Sequence, residues 1–202
     1  MIELETEDGL SLEARWDVPD GATRALVLCH AHPLMQGTMA SPLLAGVTRH
    51  LTAAGVAVLR FNFRGAGHST GRHDDGIGEL HDVSAAMTAA TAAYPNLPVG
   101  LAGWSFGAAT ALNWQAATGS SHAFCAIAVP LDTGRAPHLP GALRLVETRR
   151  TFVIGDRDQF VTVDDTRAYA DSIGGETVVI NGSDHFFSFR EDRVAAVVAA
   201  TI

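Results

Sequence analysis

Val99-Gly100-Leu101-Ala102-Gly103-Trp104-Ser105-Phe106-Gly107-Ala108 is the stretch on which the reading of the fold turns. An apolar run leads into a Gly-x-Ser-x-Gly, and an alanine-rich segment leaves it. Local reading gives a strand, a sharp turn carrying Ser105, and a helix. The two glycines supply the physical reason. A side chain two residues before or after the serine would collide with the adjoining strand or helix. A turn of this kind exposes a hydroxyl at a helix N-terminus, where backbone N–H groups and the helix dipole favour developing negative charge. The pentapeptide alone also suits a small-residue turn before a packed helix, so its neighbours decide its meaning.

Working outward, Ala25–Cys29 and Val56–Phe61 are nearly continuous apolar runs, the mark of strands buried on both faces. Val99–Ala102, Ala123–Val129, Thr151–Ile154 and Thr177–Ile180 continue the series. Between most of them lie segments with helical spacing: Pro42 to Ala54, Ile77 to Tyr94, Phe106 to Ala117, Val163 to Ile173 and Glu191 to Thr201. Strands alternating with helices predict an α/β fold with a mostly parallel, doubly wound sheet in three layers. The start differs. Ile2 and Leu4, then Leu10, Leu12, Ala14 and Trp16, alternate at period two around Asp8-Gly9, which predicts an antiparallel hairpin at a sheet edge. No repeat or linker is visible, so residues 1–202 are expected to form one domain. Leu131 to Arg150 breaks the rhythm with Pro137 and Pro140, leaving room for one short helix from Gly141 to Thr148.

Composition narrows the chemistry. All 14 strongly basic residues are arginine, and the absence of lysine excludes Schiff-base enzymes, pyridoxal phosphate attachment and the lysine of phosphate-binding loops. A net charge of −8 without basic blocks argues against nucleic acid as a partner. No run of about 18 apolar residues suggests a spanning helix, so no membrane association is expected. The acidic, alternating start is unlike a signal peptide, which makes the cytoplasm the expected location. Cys29 and Cys125 fall in apolar strand-like runs and read as buried free thiols.

A serine nucleophile needs a base to take its proton and a carboxylate to orient that base. In sheets of this type such groups gather beyond the carboxyl ends of the strands. Two segments qualify: Gly155-Asp156-Arg157-Asp158-Gln159-Phe160-Val161 and Asn181-Gly182-Ser183-Asp184-His185-Phe186-Phe187. Of nine histidines, His185 alone follows the last strand in a short glycine-containing loop, and it is the expected base. Asp158 is the preferred acid, Asp156 its competitor in the same turn, and Asp132 a lesser alternative. Asp184 adjoins His185 in sequence, a poor placement for contact with Nδ1, and reads as a loop-stabilising carboxylate.

These segments, with His30-Ala31-His32-Pro33-Leu34-Met35-Gln36-Gly37 and Asn62-Phe63-Arg64-Gly65-Ala66-Gly67-His68-Ser69, resemble a small α/β-hydrolase of the dienelactone-hydrolase-like kind. The likeness runs from about residue 25 to 190. It implies a serine-dependent hydrolase of carboxylic esters, thioesters or lactones, acting through an acyl-enzyme on Ser105 with no cofactor and no metal. The family's Gly-x-x-Asp falls on Asp158. The oxyanion donors are expected to be the N–H of Phe106 and, because Pro33 has none, that of Leu34, with Met35 as the alternative. Residues 131–150 would form a minimal cap, leaving the site open. Asn62 to Gly67 reads as a structural loop bordering the site, Arg64 as an ion-pair partner, and Trp104 as packing.

His30 and His32 invite a metal reading, but the Asp-His pair that should follow them is missing. Gly65-Ala66-Gly67 lacks the third glycine of a dinucleotide fingerprint, since Thr70 occupies that place. A peptidase of the same fold and a non-catalytic binding protein are the rival readings. The expected partner is a small-molecule acyl substrate, and the expected state a monomer or homodimer.

Overall fold

The computed structural model of the chain describes residues 1–131, 134 and 136–202. Eight strands form one sheet in the order β1-β2-β4-β3-β5-β6-β7-β8. The strands are β1 (Ile2–Glu5), β2 (Ser11–Asp17), β3 (Arg24–Cys29), β4 (Val56–Phe61), β5 (Val99–Trp104), β6 (Phe124–Ile127), β7 (Arg150–Gly155) and β8 (Glu176–Ile180). The first two pair antiparallel, with Leu4 opposite Leu12, and β2 also runs antiparallel to β4. From β3 to β8 every pairing is parallel.

Among the described residues five α-helices cover the sheet: α1 (Pro42–Ala53), α2 (Glu79–Ala93), α3 (Phe106–Thr118), α4 (Val163–Ser172) and α5 (Glu191–Thr201). The period-two pattern of the inner strands divides their side chains between two apolar layers. Ala25, Val27 and Cys29 pack with Val83, Ala86, Ala109 and Leu112 of α2 and α3. Leu26 and Leu28 pack on the opposite face with Leu44, Val47, Val194 and Val198 of α1 and α5. Both layers exclude water, which explains why these strands read as unbroken apolar runs. Both cysteines are free and buried, one in each layer. Burial holds the Cys29 thiol well above its ordinary range and pushes that of Cys125 up to about 12. No helix among the described residues is long and apolar enough to cross a membrane.

Three boundaries differ from the sequence expectation. α2 begins at Glu79 rather than Ile77, which is exposed ahead of it. β6 stops at Ile127 because Ala128 turns to φ 46°, out of the extended region, while its N–H still reaches Val153 O at 2.8 Å. In place of a helix from Gly141 to Thr148 there is a single 3₁₀ turn, Ala142–Arg144.

Candidate active site

Ser105 connects β5 to α3 with φ 54° and ψ −120°, a region that non-glycine residues rarely occupy and that costs about 1–3 kcal/mol. The surroundings impose it. A Cβ on Gly103 would lie 2.5 Å from Ala108 N, and one on Gly107 would lie 2.3 Å from His30 O, so both flanks of the turn touch backbone. The Ser105 N–H donates to Ile127 O at 2.8 Å, tying the turn to β6. Ser105 O accepts from Ala108 N at 2.9 Å, which starts the helix.

His185 and Asp158 come from loops after β8 and β7. Parallel pairing brings these strand ends together, with Gly155 opposite Ile180. The loops are then laced. Arg157 N–H donates to Ser183 O at 2.9 Å, Gly182 N–H to Asp156 Oδ1 at 2.6 Å, and His185 N–H to Gln159 Oε1 at 3.4 Å. His185 Nδ1 lies 2.8 Å from Asp158 Oδ2, and the Asp158 side chain is fully buried. The other carboxylate oxygen accepts from the N–H groups of Phe160 and Val161 at 2.8 and 3.1 Å. Trp104 Nε1 donates to His185 O at 3.1 Å from the opposite side. The backbone and ring of His185 are therefore both held. Asp156 points at Gly182, and Asp184 Oδ1 accepts from Phe186 N at 3.0 Å. Neither faces the imidazole nitrogen. Asp132 lies outside the described residues.

Ser105, Phe106, His185, Trp104, Phe160 and Phe186 line one cavity of about 400 Å³, walled on the other side by the loop after β3. That loop is a 3₁₀ turn, Pro33–Met35, capped by His32, whose Nδ1 accepts from Leu34 N at 3.2 Å. Met35 N–H donates to His32 O at 3.0 Å. Both expected second donors are thus hydrogen-bonded within the turn. Both side chains are exposed, and of the two only Met35 lines the cavity. Phe106 N opens the first turn of α3 beneath the cavity.

His30 is a structural bridge. It is fully buried, its Nε2 accepts from Phe63 N at 3.0 Å, and burial lowers its pKa to about 4. Its ring is neutral and joins the ends of β3 and β4. Arg64 pairs with Asp82 at 2.7 Å and Asp8 at 2.8 Å, away from the cavity. Asn62 Oδ1 accepts from Met39 N at 2.8 Å, bracing the loop after β3.

Three contributors were not singled out in the sequence: Gln159, Phe160 and His73. Gln159 and Phe160 sit against His185, the Phe160 ring edge-on at 4.9 Å. His73 packs against His32 and Phe106, with ring centroids 4.6 and 5.2 Å away. Its Nδ1 lies 2.7 Å from the buried Glu79. Gln159 and Phe160 adjoin Asp158 in the segment already named, whereas His73 meets the site across the fold, where no local pattern marks it.

The chain is 32% identical to an uncharacterized protein of Rickettsia prowazekii over 191 residues, covering 86% of this chain and 76% of that one. Among solved structures, an alpha-beta serine hydrolase homologue from Coxiella burnetii is similar with a TM-score of 0.84 and 28% identity, covering 100% of this chain and 96% of that one. A serine hydrolase without lid from Xanthomonas campestris matches with a TM-score of 0.84 at 24% identity, over 99% and 91% of the two chains. An esterase from Pyrococcus furiosus shares the fold at 19% identity, with a TM-score of 0.82 and coverage of 99% and 90%. A family model for the alpha/beta hydrolase domain matches residues 23–197, and with this sheet order and serine turn the chain belongs to the α/β-hydrolase family.

Proposed function

We propose that the protein is a serine hydrolase cleaving carboxylic esters, thioesters or lactones through an acyl-enzyme on Ser105. The supporting observation is the 2.8 Å approach of the buried Asp158 to Nδ1 of His185, whose ring shares one cavity with Ser105 at the start of α3. Asp158 accepts a hydrogen bond from Nδ1–H, which keeps the proton on Nδ1 and leaves Nε2 as the base. His185 takes the Ser105 proton as Oγ attacks the carbonyl carbon, and returns it to the leaving alcohol or thiol. Water then attacks the acyl-enzyme, with His185 again the base, and Ser105 is regenerated.

Negative charge on the carbonyl oxygen falls at the N-terminus of α3, where Phe106 N–H is the first donor. The second comes from the loop after β3. Leu34 or Met35 serves only after releasing its bond to His32, so that role entails a shift of the 3₁₀ turn. A donor of this kind is worth about 10²–10³ in turnover.

The test is Ser105→Ala on p-nitrophenyl acetate, with fluorophosphonate labelling of the wild type. Hydrolysis and labelling should both vanish in the variant. Wild-type turnover by Ser105→Ala would exclude the mechanism.

A further inference from the structure

We propose that the substrate is an uncharged ester whose apolar alcohol portion packs between Phe160 and Phe186, which set specificity. The inference rests on the serine-ester reading and extends it to the substrate's leaving side. When the acyl-enzyme forms, the Ser105 Oγ–carbon bond is made and the carbon–alcohol oxygen bond breaks. The serine proton leaves on the alcohol by way of His185 Nε2. That transfer needs the alcohol oxygen within about 2.6–3.2 Å of the imidazole. The alcohol portion must therefore lie against whatever surrounds the ring of His185.

Two phenylalanines surround it. Phe160 meets the imidazole edge-on at 4.9 Å and 83°, and Phe186 at 5.7 Å and 85°. Trp104 continues the wall, 6.0 Å from Phe186. Both phenylalanines remain about half exposed, at 55% and 46%, whereas the adjoining Phe187 is fully buried in the core. Two aromatic faces left open beside a catalytic base form an apolar surface that an apolar alcohol would cover.

Charge points the same way. Among the described residues, the cavity's polar side chains are those of His32, Gln36, Ser41, Ser105 and His185, with neither guanidinium nor carboxylate. Against these described side chains a substrate carboxylate would lose water without gaining a cationic partner among them. It would also approach a protein of net charge −8.

The experiment compares kcat/KM for ethyl acetate, benzyl acetate and 4-carboxybenzyl acetate. The acyl group is constant, and the two benzyl alcohols differ little as leaving groups. Benzyl acetate should exceed its carboxylated analogue by about tenfold or more, and a smaller preference overturns the proposal. Phe160→Ala and Phe186→Ala each remove a ring contact worth about a factor of ten. At least one should lower the benzyl-to-ethyl ratio by about fivefold or more. A smaller fall in both overturns the assignment of these side chains. Far-ultraviolet circular dichroism of each variant shows that the fold is retained. Ser105→Ala separates the two levels. Hydrolysis that survives it defeats the serine reading itself, whereas serine-dependent hydrolysis without the benzyl preference defeats only this inference.

Discussion

Asp158→Asn separates orientation of the base from support of the loop. Asp158 makes three contacts: Oδ2 to His185 Nδ1 at 2.8 Å, and Oδ1 to the N–H groups of Phe160 and Val161 at 2.8 and 3.1 Å. Asparagine can keep the two backbone bonds if its carbonyl takes the Oδ1 position, which turns its NH₂ toward His185. The opposite flip would set NH₂ against two N–H donors, at about 1–3 kcal/mol for each lost partner. The first orientation wins. The imidazole must then accept at Nδ1 and carry its proton on Nε2, where it cannot receive the serine proton. A tautomer error of this kind lowers kcat by about 10⁴, or about 5.5 kcal/mol of transition-state stabilisation. Stability should stay within about 1 kcal/mol of wild type, since the loop bonds survive. Initial rates on p-nitrophenyl acetate and a urea unfolding curve report both quantities. A kcat within about tenfold of wild type would refute the reasoning. Asp156→Asn is the control: its Oδ1 bond to Gly182 N survives as an amide carbonyl, and turnover should stay near wild type.

Three further outcomes follow from the same geometry. Gly107→Ala places a methyl 2.3 Å from His30 O and 2.8 Å from Cys29 O, both backbone. It should cost about 3 kcal/mol or more, and an unchanged urea midpoint would exclude the close approach. Arg64→Met strands the fully buried Asp82 and should cost about 3–5 kcal/mol by thermal or chemical unfolding, whereas a loss below about 1 kcal/mol would show the pair to be dispensable. His30 has a folded pKa of about 4 against an ordinary 6.5, so its neutral form favours the fold. Its contribution is complete above pH 6.5, declines as pH falls toward 4, and reaches about 3 kcal/mol of lost stability there. Urea midpoints between pH 7 and 4 should show that slope in the wild type and a shallower one in His30→Asn.

Much of the fold was legible before any coordinate. Residues 25–29 and 56–61 read as strands because both faces are buried, and α1, α3 and α5 match their helical spacing closely. Less was legible where one residue's conformation ends an element. Ala128 looks like ordinary strand sequence, yet its positive φ stops β6, a choice imposed by neighbours. The second oxyanion donor was harder still. Elimination of Pro33 leaves Leu34 and Met35, but only the folded turn shows His32 capping one and its carbonyl holding the other.

What the sequence by itself determined is the serine turn, because one contiguous pentapeptide encodes it. Gly103 and Gly107 lie two residues either side of Ser105; the clash avoided at Gly103 is with Ala108 N of the helix that the same stretch encodes, whereas the clash avoided at Gly107 is with Cys29 and His30 at the end of β3, a contact that the fold supplies. It also put the candidate base and acid in loops after later strands. Only the tertiary structure decided which carboxylate meets His185 and which side chains line the cavity. Asp156 and Asp158 share a turn, and their roles diverge because the register of β7 against β8 sets one toward Gly182 and the other toward the imidazole. Phe160 and Phe186 lie 26 residues apart and form one wall for the same reason. Side-chain direction over such separations depends on strand register and loop lacing, and no local pattern encodes either.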